Sequence, residues 1–437
     1  MQKPPGRPAA PGRVAYVNAR LLDPATGLNA PGALLSEGGE IADLGPGLFK
    51  DGVPEGVETV DCGGACLAPG LVDMRVQLRE PGEEHKETIS SASRAAAIGG
   101  VTSMVALPNT DPIVDDVAGV EFVARRAREE KSVKVYTYGT VTRRLEGQEL
   151  TEMGLLTAYG ALGFTDGLKA VANAQVMRRA LAYSRAFDTV ILQHPEEPSL
   201  AAGVMNSGAL ATRLGLSGIP VQAEVIMVER DLRLVEMTGG RYHVSHVSTA
   251  AALEAIRAAK KRGLPVTCDT APHYFTLNEN AVGDYRTFAK VSPPLRSETD
   301  RAAVAEALAD GTIDAIASDH APQDQDAKRL PFALAEPGIV GLETLLALSL
   351  APVHAGRMGL LELLACLTSR PAGILRGRSG LRKGWPADLV VFDLEKPGRI
   401  DPDRFASKSK NVPYEGHMVQ GQVLRTVVDG RPIYVAG

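Results

Sequence analysis

The stretch "RYHVSHVS" (241–248) is followed by "TAAALEAIRAAKKRG" (249–263) and then by "PVTCDTAPHYF" (265–275). A short apolar run, a helix-periodic segment closed by glycine and a second apolar run read as strand, helix, strand. The same order recurs along the middle of the chain. "SASRAAAIGG" (91–100) leads into "VTSMVALP" (101–108), and "SVKVYTYGTV" (132–141) precedes "ELTEMGLLTAYG" (149–160). "VMRRALAYSRAF" (176–187) leads into "TVILQH" (189–194), and "DRAAVAEALADG" (300–311) into "DAIASDHAP" (314–322). Continuously apolar strands alternating with helices indicate a parallel sheet covered on both faces. At least six such strands between about Leu67 and Pro322 fit an α/β fold of the (β/α)8 TIM-barrel type, expected over residues 67–375.

Outside this region the texture changes. "RVAYVNARLLDP" (13–24), "GALLSEGGEIADLG" (32–45), "ADLVVFDLE" (387–395) and "VQGQVLRTVVDGRPIYV" (419–435) alternate apolar and polar residues between glycine turns. That pattern marks half-buried antiparallel strands. Residues 13–66 and 385–437 are therefore expected to form one small β-sandwich from both chain ends.

The chain has 437 residues, 47 basic and 52 acidic, for a net charge of −5. This mild acidity argues against nucleic acid or an anionic membrane as partner, since both require a concentrated basic face. The apolar run Gly338–Leu350 carries Glu343 and is too short to cross a bilayer. Met1–Val14 is basic and rich in Pro and Gly, without the apolar core of a secretory signal, and reads as a flexible lead-in. Cys62, Cys66, Cys268 and Cys366 form no CxxC pair and read as structural thiols of a reducing, cytoplasmic compartment.

Polar residues stand where the barrel strands end: Asp73, Arg79, Asn109, Asp166, His194, His246, His273 and Asp319. Barrel enzymes build their sites at that face. His194, His246 and Asp319 offer two imidazoles and a carboxylate, a set that suits zinc, although each alone is also an ordinary polar strand terminus. His243 precedes His246 by three residues and points to the other face, where packing is its expected role. His273 and His320 are expected to be hydrogen-bonded structural residues.

At these residues the chain resembles the long, bacterial-type dihydroorotases of the amidohydrolase superfamily. The resemblance rests on "APGLVDMRVQLREPGEEHKETI" (68–89), "AAAIGGVTSMVALPNTDP" (95–112), "GALGFTDG" (160–167), "VSHVSTAAALEAI" (244–256), "KVSPPLRSETDRAAVAEALADGTIDAIASDHAP" (290–322), "GIVGLETLLALSL" (338–350) and "KGWPADLVVFD" (383–393). It implies a barrel flanked by a β-sandwich, and closure of carbamoyl aspartate to dihydroorotate on one or two zinc ions. It implies that His194 and His246 bind metal, that Asp319 is the catalytic acid/base, and that Arg79 and Asn109 hold the substrate carboxylate.

The chain departs from that pattern at five places. Where the family has Asp-x-His-x-His, this chain has Asp73, Arg75 and Gln77. An arginine cannot ligate a cation and brings its own charge. Gly167 stands where the family's second turn acid bridges two metals, unless Asp166 substitutes; Ser292 replaces an Asn and Gln323 a terminal His. Arg75 is expected to pair with Asp319 or Asp166 and fill the charge hole left by a metal, or else to reach solvent. The expectation is therefore a non-catalytic dihydroorotase-like chain, a scaffold partner of aspartate carbamoyltransferase and a homo-oligomer, with no metal or one residual zinc at His194 and His246. The alternative is an active dihydroorotase with one metal ion. A hydantoinase or allantoinase would need a carboxylated lysine bridging two metals; Lys169 lies near the right turn but lacks the paired histidines.

Overall fold

A computed structural model describes residues 12–437. The lead-in read from Met1–Val14 lies, up to residue 11, outside the described residues.

Seven barrel strands are Leu71–Val76, Val101–Ala106, Lys134–Thr137, Val190–Gln193, Arg241–Val244, Val266–Thr270 and Ala315–Ile316. All pair in parallel with their neighbours. The eighth is a single link at Phe164, bridged to Gly139 on one side and Ile191 on the other. Space there is tight: a Cβ at Gly163 would lie 3.0 Å from the Val190 and Leu192 side chains and press on them. The barrel closes through a parallel bridge between Val76 and His320, with the Gln77 N–H donating to His320 O at 2.9 Å. Leu71–Val76 and Val190–Gln193 are buried at every position, as expected for strands covered on both faces.

The helices are cut to that sheet by local chemistry. Ala250–Lys261 starts at Thr249, whose Oγ1 caps Ala252 N, and buries Ala252, Leu253, Ile256 and Ala259, one stripe at helical spacing. It ends before Gly263, whose φ is +76°.

Both chain ends meet in one eight-stranded sheet. Arg13–Asp23 lies antiparallel to Leu28–Glu37 and parallel to Glu58–Asp61 and Cys66–Pro69. Cys66–Pro69 then pairs with Leu389–Arg399, which pairs with Met418–Val428. Tyr16, Leu21, Leu34, Leu67, Leu389 and Val427 form a separate small apolar core. The sheet runs to Pro69, a little past the expected boundary at residue 66, because Leu389 pairs with Pro69 itself. No helix among the described residues is long and apolar enough to cross a membrane.

Candidate functional site

His194 directly follows the strand Val190–Gln193. His246 lies two residues beyond Val244, and Asp319 three beyond Ile316. His246 and Asp319 take left-handed backbone, φ +48° and +49°, and Arg79 has φ +60°. Such conformations cost non-glycine residues about 1–2 kcal/mol each and concentrate at functional sites. The fold brings His194, His246 and Asp319 to one buried centre. The His194 and His246 ring centroids are 5.9 Å apart, and His246 Nε2 is 3.8 Å from Asp319 Oδ1.

Arg75 occupies the middle of this centre. Its side chain is 3% exposed, its Nε donates to Asp319 Oδ1 at 3.1 Å, and its Nη2 reaches Gly167 O at 3.5 Å. Of the two expected partners it takes Asp319, and it does not reach out to solvent. Burial pushes the Asp319 carboxyl up to about 6, against the opposing pull of Arg75. Burial, and then the Arg75 charge, hold His246 well below the ordinary imidazole value, so its ring is neutral. Gln77 is buried beside them with Oε1 unpartnered.

The other expected contacts are committed elsewhere. Asp166 accepts from Thr142 N at 2.9 Å and from its hydroxyl, so it braces a loop and does not face the centre. Gly167 has φ +67°, and a Cβ there would lie 3.1 Å from Asn109 Oδ1. Arg79 Nη1 donates to Glu83 at 2.8 Å and its Nε to Pro322 O at 3.1 Å. Gln323 Nε2 donates to Pro337 O at 3.0 Å. His243, expected to pack, is hydrogen-bonded between Thr267 and Asp269, and His320 lies between Gly341 N and Glu87 as the hydrogen-bonded structural residue expected.

Two neighbours, Glu196 and Asp269, escaped the sequence reading, and a third, His273, plays another part than expected. Glu196 Oε2 lies 3.0 Å from His194 Nε2 and accepts from the Ser292 hydroxyl at 2.6 Å. Burial raises the Glu196 carboxyl, but His194 and Ser292 outweigh it and bring the net value below the ordinary range. Asp269 accepts from the His246 backbone N–H at 2.6 Å. His273, expected to be hydrogen-bonded, instead points Nε2 at Asp319 from 3.8 Å without a partner, and burial lowers it to about 3. The acid two residues past His194 in "QHPEE" was the available signal for Glu196. A cavity of about 530 Å³, lined by Leu168, Lys169, His194, Glu196 and Ser292, opens beside this cluster.

Zinc takes four ligands in tetrahedral structural sites, or three protein ligands plus water in catalytic ones. No group of three His, Cys, Asp or Glu among the described residues has that arrangement. Asp319 is hydrogen-bonded to a guanidinium, and Glu196 and Ser292 surround His194 Nε2. Around the centre the two nitrogens of His246, His194 Nδ1, His273 Nε2, Glu196 Oε1, Asp73 Oδ2 and Gln77 Oε1 are buried without partners. The donor set does not fit a zinc ion as it stands.

A family described as dihydro-orotase-like matches residues 64–252. A protein of Anaplasma phagocytophilum (strain HZ) named dihydroorotase is 49% identical over 431 residues, covering 97% of this chain and 95% of that one. One of Syntrophotalea carbinolica, also named dihydroorotase, is 45% identical over 424 residues, with 97% and 99% covered. Among solved structures, the L-hydantoinase (dihydropyrimidinase) of Arthrobacter aurescens superposes with a TM-score of 0.86 at 25% identity, over 97% of this chain and 96% of its own. Likeness of this extent along nearly the whole length, on a barrel whose strand ends carry His194, His246 and Asp319, establishes that the chain belongs to the dihydroorotase family.

Proposed function

We propose that this chain serves de novo pyrimidine biosynthesis in the cytoplasm as a non-catalytic member of its family. In this reading it is a scaffold that joins copies of itself and an aspartate carbamoyltransferase chain. The observation that carries the reading is the buried Arg75–Asp319 pair. The family reaction needs an electrophile that lowers the pKa of a bound water, and a carboxylate free to take its proton. Here the carboxylate is bonded to a fixed cation that offers no exchangeable coordination site. Arg79 and Asn109 remain as a place where carbamoyl aspartate or dihydroorotate could dock, although Arg79 would first have to release Glu83.

The test is elemental analysis of the purified chain together with turnover of both carbamoyl aspartate and dihydroorotate, with and without added zinc. Background turnover, less than one zinc per chain and co-purification of a carbamoyltransferase are the expected results. Turnover well above background would overturn the non-catalytic reading, and a strictly monomeric chain that captures no carbamoyltransferase would overturn the scaffold.

One observation favours a second reading, an active dihydroorotase with a single metal ion: both ring nitrogens of His246 are buried without partners. That reading requires His194 Nε2 to leave Glu196, or Asp319 to leave Arg75. Stoichiometric binding of one zinc that is lost in His246→Ala, together with turnover, would select it.

A further inference from the structure

Apart from the barrel centre, a cavity of about 490 Å³ lies between the barrel loops around 285–288 and 323–329 and the segment 402–415 that leads back to the terminal sheet. Its size suits a small organic ligand. Two guanidinium groups line it, Arg286 and Arg329, and neither has a hydrogen bond or ion pair among the described residues. Between them Lys328 is 3% exposed, and its Nζ is held by two backbone carbonyls, Thr287 O at 3.1 Å and Glu336 O at 2.6 Å. No carboxylate bonds it, and burial, followed by repulsion from Lys290, lowers it to about 7. A buried ammonium satisfied only by dipoles is an expensive arrangement that a nearby anion would relieve.

The cavity also has an apolar wall and a free acceptor. Phe288 is half-buried along it. Gln323 is 5% exposed, with Nε2 bonded to Pro337 O and Oε1 left without a donor. The lining acids do not cancel the cations. Asp324 is committed as the cap of Ala327 N and as the partner of His85, which leaves Asp403 and Glu415 against Arg286, Arg329 and Lys328.

We propose that this cavity is a second binding site, specific for a phosphate ester that carries a planar ring with hydrogen-bond donors. Arg286 and Arg329 grip the phosphate with their paired N–H groups, as guanidinium forks do. Lys328 adds a point charge. The ring lies along Phe288 and donates an N–H to Gln323 Oε1. The site is independent of whether the barrel centre turns over substrate, since none of the three cations takes part there.

The test is calorimetric titration of the full chain with uridine 5′-monophosphate, ribose 5-phosphate and inorganic phosphate. The nucleotide should bind one per chain with a Kd below about 1 mM, and about ten-fold tighter than either of the others. Arg286→Ala with Arg329→Ala should weaken all three ligands by at least about ten-fold, the loss of one good charged contact or more. Gln323→Leu should weaken only the nucleotide. Circular dichroism and Tm check that each variant is folded. No binding at millimolar nucleotide, affinity unchanged in the folded double-arginine variant, or ribose 5-phosphate binding as well as the nucleotide would each overturn the proposal.

Discussion

Replacing Arg75 by Met removes one half of a buried ion pair and leaves Asp319 alone in the barrel. Two unit charges 3.1 Å apart attract by about 5 kcal/mol at an effective dielectric constant of about 20. Desolvation of both groups offsets much of this, but removing one partner strands the other, and such truncations cost about 3–5 kcal/mol. At about 2.1 cal/mol/K per residue, unfolding 437 residues carries an entropy near 0.9 kcal/mol/K, so Tm should fall by about 3–6 °C. The deficit should depend on pH. Burial has already raised the Asp319 carboxyl to about 6 while Arg75 pulls it down, so losing Arg75 raises it further. Above that value Asp319 is ionised and uncompensated, and the full deficit appears. Below about 6 the carboxyl takes up a proton and the deficit shrinks. Differential scanning calorimetry of both proteins at pH 8 and pH 5, at one scan rate, measures this. Arg75→Met with Asp319→Asn should recover most of the loss at pH 8. A variant within about 1 °C of the parent at pH 8, or one with equal deficits at both pH values, would refute the claim that the pair is buried and coupled.

Four further outcomes follow from the same geometry. Asp73 is raised to about 6 by burial against its hydrogen bonds from Ser318 and Arg75 N–H, so its contribution weakens as pH rises from about 4 through 6. Asp73→Asn should flatten that slope and raise stability at pH 8 by about 1–3 kcal/mol, read as Tm against pH. Gly167→Asp should lower stability by about 1–2 kcal/mol in the same scans, because φ is +67° and the new Cβ would press on Asn109. Arg75→His with Gln77→His should gain zinc by elemental analysis yet stay near background in turnover, since Gly167, Ser292 and Gln323 lie in other loops and catalytic groups act as a unit. Dialysis of the parent chain against a strong chelator should leave Tm within about 1 °C if, as proposed, the Arg75-filled centre holds no metal.

The architecture could be read from the sequence wherever periodicity was strong. Val101–Ala106 and Ala250–Lys261 carry their burial in their apolar spacing. The barrel link at Phe164 gave no strand signal, because one residue between glycine-flanked turns has no period to detect. In the site, charge alone offered Arg75 two partners, Asp319 and Asp166, or solvent, and the fold selects Asp319. The Glu196–Ser292–His194 cluster could not be read from the sequence, since Ser292 is remote in sequence and only the fold brings it to the other two. His273 was misjudged for a similar reason. Its neighbours Asp319 and Tyr274 determine what its ring faces, and one of them is 46 positions away.

The shared terminal sheet has a consequence for synthesis on the ribosome. Cys66–Pro69 must wait for Leu389–Arg399, some 320 residues later, before its open edge is paired. At about 5–20 residues per second that interval is roughly 15–65 s. Throughout it, Arg13–Asp23 and its neighbours present Tyr16, Leu21 and Leu67 without Leu389 and Val427 to cover them. The nascent chain therefore carries a sticky strand edge for most of its translation, and slow codons or chaperone shortage should make it aggregate through its first 70 residues and not through the barrel.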